Sequence, residues 1–95
     1  MEIVNNKRNF KFEAHLPDGE IATVEYRWLK GSMVLMHTVT PAAHRGKGVG
    51  AELVKYVLDY VRQQGQKIVV YCPYVTAYLQ KHPEYNDLVD PTGGR

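Results

Sequence analysis

The stretch His37-Thr38-Val39-Thr40-Pro41-Ala42-Ala43-His44-Arg45-Gly46-Lys47-Gly48-Val49-Gly50-Ala51 decides how the rest of the chain is read. It runs from the end of an apolar strand, through a short loop, into a glycine-rich turn that opens directly into an amphipathic helix. Glycines at 46, 48 and 50 leave the backbone N–H groups from Gly46 to Gly50 unshielded by Cβ atoms. At a helix N-terminus such donors, reinforced by the positive end of the helix dipole, form a seat for a phosphate or diphosphate. Arg45 and Lys47 add positive charge beside that seat. A phosphate-bearing cofactor is therefore expected to dock here.

Downstream, Gly50, Leu53, Val54, Val57, Leu58 and Val61 form one continuous apolar stripe at helical spacing. Glu52, Lys55, Tyr56, Asp59, Arg62 and Gln63 take the other side, and Gly65 is placed to end the helix as a left-handed cap. Lys67 to Tyr71 then suits a short, buried parallel strand, so strand, helix and strand make a right-handed crossover. Pro73 in a first turn predicts a second, shorter helix from Val75 to His82, with Pro83 as its stop. Upstream, Phe10, Phe12, Ala14 and Leu16 alternate with polar residues, and so do Ala22, Val24, Tyr26 and Trp28. With Pro17-Asp18-Gly19 between them, they predict an antiparallel hairpin. Lys30-Gly31-Ser32 is a second turn, and Met33 to Val39 reads as a central strand covered on both faces. A short edge strand is expected at Glu2–Val4, and residues 84–95 read as a polar tail, frayed from 90 to 95.

The 95 residues, 44% hydrophobic and 23% charged, predict one α+β domain over 1–95, with a mixed, mainly antiparallel sheet and a single β-α-β unit. A net charge of +2, with the basic residues scattered, gives no reason to expect nucleic acid. Cys72 is the sole cysteine, which excludes an internal disulfide and suits a reducing compartment. No run approaches the length of a membrane span and no leader is evident, so a cytoplasmic location is the default. No spacing among His15, His37, His44, His82 and Cys72 resembles a metal site.

On pattern alone the glycine turn has two readings: a ligand seat, or a strand-to-helix turn with glycines for close packing. It lacks the spacing of the dinucleotide fingerprint and of the P-loop. Its position at the C-terminal end of an apolar strand favours the seat. At this point the chain resembles a family. Arg45-x-x-Gly48-x-Gly50, after a strand and opening a helix, is similar to the acetyl-CoA motif of the GNAT N-acetyltransferase superfamily. Cys72-x-Tyr74-Val75-x-x-Tyr78-Leu79-x-x-His82-Pro83-Glu84-Tyr85 resembles the small, single-domain YjdJ-type GNAT-like proteins.

The resemblance implies a GNAT-like fold that binds acetyl-CoA or CoA. Backbone N–H groups of Gly46, Lys47, Gly48, Val49, Gly50 and Ala51 would hold the diphosphate, with Arg45, Lys47 and His44 nearby. Thr38 and Val39 would meet the pantetheine arm. It also implies that the strands ending at Val39 and Tyr71 are parallel but splay apart, with the acetyl thioester in the gap.

Acyl transfer to an amine needs a deprotonated amine, a stabilised oxyanion and a leaving thiolate. Cys72 precedes the Pro73 helix, where the dipole favours a thiolate, so it is a candidate for an acetyl-cysteine intermediate. It is equally a small buried hydrophobe. Tyr78 is the candidate acid for the thiolate, or a packing residue beside Leu79. His37 is a candidate base, or a hydrogen-bonded core histidine. His82 reads as a helix cap or a contact of Tyr85. For Lys47 and His44 a solvated loop charge is the alternative. The resemblance covers the cofactor side and leaves little to bind an acceptor, which must meet a shallow surface, a partner protein or a second subunit. The chain is expected to be a monomer or weak dimer that acetylates an unidentified amine; the alternative is a non-catalytic CoA- or acyl-CoA-binding module.

Overall fold

In the computed structural model, which describes residues 1–92, five strands form one sheet in sequence order. They are β1 (Glu2–Asn6), β2 (Lys11–His15), β3 (Ile21–Leu29), β4 (Ser32–Val39) and β5 (Ile68–Val70). The first four pair antiparallel and β5 joins β4 in parallel, so the sheet is mixed and mainly antiparallel, as expected. The crossover between β4 and β5 carries a 3₁₀ turn (Ala42–His44) and helix α1 (Val49–Gln63). Helix α2 (Pro73–Lys81) and a 3₁₀ helix (Pro83–Leu88) follow β5.

The α1 stripe is the one its spacing predicts: Gly50, Leu53, Val54, Val57, Leu58 and Val61 are its buried residues. They cover the face of the sheet that carries Phe12, Ala14, Ala22, Val24, Tyr26, Met33 and Leu35. Phe12 marks that face, because its ring lies 5.2 Å from Tyr60 and 6.2 Å from Tyr56 of α1. Each fully buried Leu or Val contributes about 1.5–3 kcal/mol through removal from water, so this interface dominates the packing.

Several expectations are corrected. Phe10 lies outside β2 at φ 56° and is exposed, its ring edge-on to Tyr26, so the core face of that strand begins at Phe12. β4 is buried on both faces only from Ser32 to Leu35; His37 and Val39 are exposed. The cause is a bulge: Glu25 pairs His37 while Tyr26 pairs Leu35, so Met36 has no partner residue on β3. β1 runs two residues past Val4.

Pro83 ends α2 but also opens the 3₁₀ helix, and Tyr85 and Leu88 of the supposed polar tail belong to the core. Asp90 is held rather than frayed: its N–H donates to the Ile68 carbonyl at 2.8 Å, and Ser32 Oγ donates to Asp90 Oδ2 at 2.7 Å. The remainder of the expected frayed tail, 93–95, lies outside the described residues. Among the described residues no helix is long and apolar enough to cross a membrane.

Candidate functional site

Where β4 outruns its parallel partner, the sheet opens. Pairing with β5 stops at Leu35 and Val70, and the N–H groups of Tyr71 and Cys72 both turn onto the Leu35 carbonyl, at 3.0 and 3.2 Å. Beyond Leu35 the β5 side of β4 makes no backbone hydrogen bond among the described residues. An unpaired strand edge of this kind offers donors and acceptors to any extended, amide-bearing chain laid along it.

The loop after β4 leads back to the same opening. Gly48, the N-cap of α1, sits at φ 81°, and Gly46 at φ 78°. Both residues are in the left-handed region, a conformation that L side chains resist. No side chain caps the helix, and Glu52 is the first residue whose N–H finds a carbonyl, that of Gly48 at 3.0 Å. The N–H groups of Gly46, Lys47, Gly48, Val49, Gly50 and Ala51 therefore have no acceptor among the described residues. Gly46, Gly48, Val49 and Gly50 of that run line a cleft of about 550 Å³, together with Thr38, Val39, Thr40, His44, Arg45 and Tyr74, within the range of small-molecule sites.

The charges around the cleft are partly committed. Arg45 Nε donates to the Thr40 carbonyl at 3.1 Å, bracing the loop against the end of β4. His44 Nε2 lies 2.7 Å from Asp18 Oδ2 in the β2–β3 turn. That hydrogen bond, followed by one from the Glu20 N–H, holds the Asp18 carboxyl below its ordinary value. Lys47 is exposed and outside the cleft lining, and Ala51 packs against the core instead.

Of the candidate reactive residues, the structure brings Cys72 to the open edge. It is buried at the N-cap of α2 and outside the cleft lining itself, with Sγ 3.3 Å from Thr38 Oγ1 of that lining, a hydrogen bond either atom can donate. Tyr78 is buried in the core, its ring stacked 4.1 Å from that of His82 and outside the cleft lining; burial pushes its phenol upward. His37 is exposed and also outside the lining. His82 is the C-cap of α2. The cleft contains two residues to which the sequence assigns no role, Thr40 and Tyr74. Tyr74 is the aromatic group of the cleft, and its signal was its place one residue after Pro73, in the first turn of a helix beginning at the gap.

The profile of the GCN5-related N-acetyl-transferase family matches residues 11–88. Protein NATD1 of Mus musculus is 34% identical over 59 residues, covering 60% of this chain and 54% of the relative. The Homo sapiens counterpart gives 34% over 59 residues, 60% and 52%. The chain thus spans about half the length of those relatives. Protein NATD1 of Danio rerio aligns over 89 residues at 26% identity, covering 90% of this chain and 81% of its own. The solution NMR structure of a GCN5-like protein from Staphylococcus aureus superposes with a TM-score of 0.69 at 25% identity, covering 94% of this chain and 87% of the other.

Proposed function

The chain belongs to the GCN5-related N-acetyltransferase family, and from that premise we propose that its cleft binds a coenzyme A thioester and that its acetyl group is passed to an amine. The observation that carries this reading is the run of unpartnered N–H groups from Gly46 to Ala51. That run offers donors, so a ligand rich in acceptors and anionic, as a diphosphate is, complements it. Arg45 and Lys47 favour the same sign of charge. The free edge of β4 past Leu35 supports the second half of the ligand, because the pantetheine arm is an extended chain with two amides. Thr38 and Val39, which line the cleft on that edge, are the residues assigned to it.

The bound molecule supplies an activated acetyl thioester. Overall, a nitrogen–carbon bond forms, the carbon–sulfur bond breaks, the amine gives up a proton and the leaving thiolate takes one. Cys72 and Thr38 stand where β4 and β5 part, so they are the side chains assigned to the reacting end. Cys72 Sγ, losing its proton, can accept the acetyl group and return it to the amine; Thr38 Oγ1 orients the sulfur. In the direct alternative the amine attacks unaided and Cys72 only packs.

One observation favours a second reading, a non-catalytic CoA-binding module: Cys72 and Tyr78 are buried and lie outside the cleft lining. Calorimetry with CoA tests the seat, and no heat with the wild type would refute it. Intact mass after mixing with acetyl-CoA tests the chemistry. A species heavier by one acetyl group that disappears in Cys72→Ala supports the covalent route. Transfer to amines that survives in Cys72→Ala supports direct attack, and CoA binding without transfer to any amine supports the module.

A further inference from the structure

Tyr74 is delivered to the cleft from a separate element. β5 ends at Val70, the chain turns at Tyr71 and Cys72, and Pro73 opens α2. Residue 74 therefore stands in the first turn of α2, across the cleft from the first turn of α1. A Cβ built on Gly50 would meet Tyr74 Oη at 2.9 Å, its Cζ at 3.0 Å and Thr40 Oγ1 at 3.3 Å. The phenol reaches α1 at a residue without a side chain, and nothing larger than glycine leaves it that place.

Among the described residues the hydroxyls of Tyr56, Tyr60, Tyr71, Tyr74 and Tyr78 make no hydrogen bond, and of these tyrosines it is Tyr74 that lines the cleft. Tyr26 Oη donates to Asn5 Oδ1 and Tyr85 Oη to Asp59 Oδ1, each at 2.7 Å. Tyr74 Oη makes no hydrogen bond among the described residues, and the residue is 43% exposed. Across the cleft from it stand Gly50, whose N–H has no acceptor, and Thr40 Oγ1, to which it makes no hydrogen bond. A phenol hydroxyl in that position can donate to an anion held between it and the free amides.

We propose that Tyr74 is a phosphate-contacting residue, its hydroxyl donating to the diphosphate oxygens that the Gly46–Ala51 amides also hold. The inference rests on the reading of the cleft as a diphosphate seat, and adds a contact from α2 to one built so far from the β4–α1 loop. The diphosphate then ties the two helices flanking the gap to each other.

The test is calorimetry of the wild type and Tyr74→Phe, each titrated with ADP and with CoA, alongside thermal melts. Phenylalanine keeps the ring and removes only the hydroxyl. A hydrogen bond to a charged group leads us to expect an affinity loss of about tenfold or more, equal for ADP and CoA, with the melting temperature unchanged. Affinities within twofold of wild type for both ligands would overturn the inference. A loss for CoA with ADP unaffected would also overturn it, placing the hydroxyl on the pantetheine arm. A wild type that binds neither ligand would overturn the cleft reading itself, an outcome distinct from both.

Discussion

Gly48 and Gly50 stand two residues apart, and a methyl group added to each has opposite consequences. At Gly48 a Cβ would meet nothing within 4 Å, so the whole cost of Gly48→Ala lies in the backbone. Holding an L-residue at φ 81° costs roughly 1–2 kcal/mol. For a chain of this size each kcal/mol lowers the melting temperature by about 4–8 °C. Gly50 has ordinary helical geometry, and alanine there recovers roughly 0.5–1 kcal/mol of helix propensity. The opposing term is the 2.9 Å approach to Tyr74 Oη, the far end of an exposed side chain that can swing aside. The two nearly cancel, and Gly50→Ala should unfold within about 1 kcal/mol of wild type by the usual off-rotamer cost. Its methyl nevertheless enters the cleft, between Tyr74 and Thr40 Oγ1. CoA affinity should fall by about tenfold or more, the scale of one charge-assisted hydrogen bond lost. Urea or thermal unfolding read with calorimetry separates the effects: Gly48→Ala loses stability, while Gly50→Ala loses binding. In a Tyr74→Ala background the collision is gone, and Gly50→Ala should stabilise. If Gly50→Ala binds CoA as tightly as wild type, or is as unstable as Gly48→Ala, the account of the seat is wrong.

The core beneath the seat gives a larger signal: Leu53→Ala, at a fully buried site of α1, should cost about 2–5 kcal/mol in urea unfolding. Ser32→Ala removes the buried hydroxyl that donates to Asp90 and should cost about 1 kcal/mol; an unchanged midpoint would deny that contact a role in closing the C-terminal segment. The Asp18 carboxyl, lowered first by its hydrogen bond from His44, should titrate below 3.8 by NMR. Because the folded value is the depressed one, its contribution to stability is present above pH 3.8 and lost as pH falls through the lowered value. His44→Ala should return the titration towards 3.8, and an unmoved midpoint would mean that the pair does not form. Replacing the exposed His37 by alanine should leave CoA affinity unchanged and, if His37 is the base, lower kcat/KM for the amine; a change in CoA affinity alone would put it on the cofactor side.

The elements legible in the sequence are those whose side chains repeat long enough to define a period. Helix α1 shows four turns of one stripe, and the β2–β3 hairpin alternates around Pro17-Asp18-Gly19, so both were readable. The segment from Pro83 to Leu88 was not, because a six-residue 3₁₀ helix presents only Tyr85 and Leu88 to the core, two residues among polar ones. The second half of β4 was misread for a different reason. Met36 and Val39 look like a continuation of Met33 to Leu35, and a bulge has no composition of its own. In the cleft, the glycines declared themselves through spacing. Tyr74 could be placed only after the axis of α2 was known relative to α1, which is a tertiary fact.

That bulge also determines what each side of the gap can serve. Cross-strand partners share a face of the sheet, and Val24 pairs both Phe12 and Thr38. Thr38 thus looks to the α1 side, where it meets Cys72. Glu25 pairs His37 and Thr23 pairs Val39, so the His37 and Val39 side chains take the face that α1 does not cover. Had Met36 been paired in regular alternation, residue 37 rather than 38 would have met Cys72. The extra residue therefore separates a sulfur and hydroxyl on the cleft side from an imidazole on the open side. On the proposed reading this division leaves the cleft side to the thioester and the open face to the amine. The position of His37 outside the cleft lining is then compatible with a role as base, since a base serves the acceptor and not the cofactor.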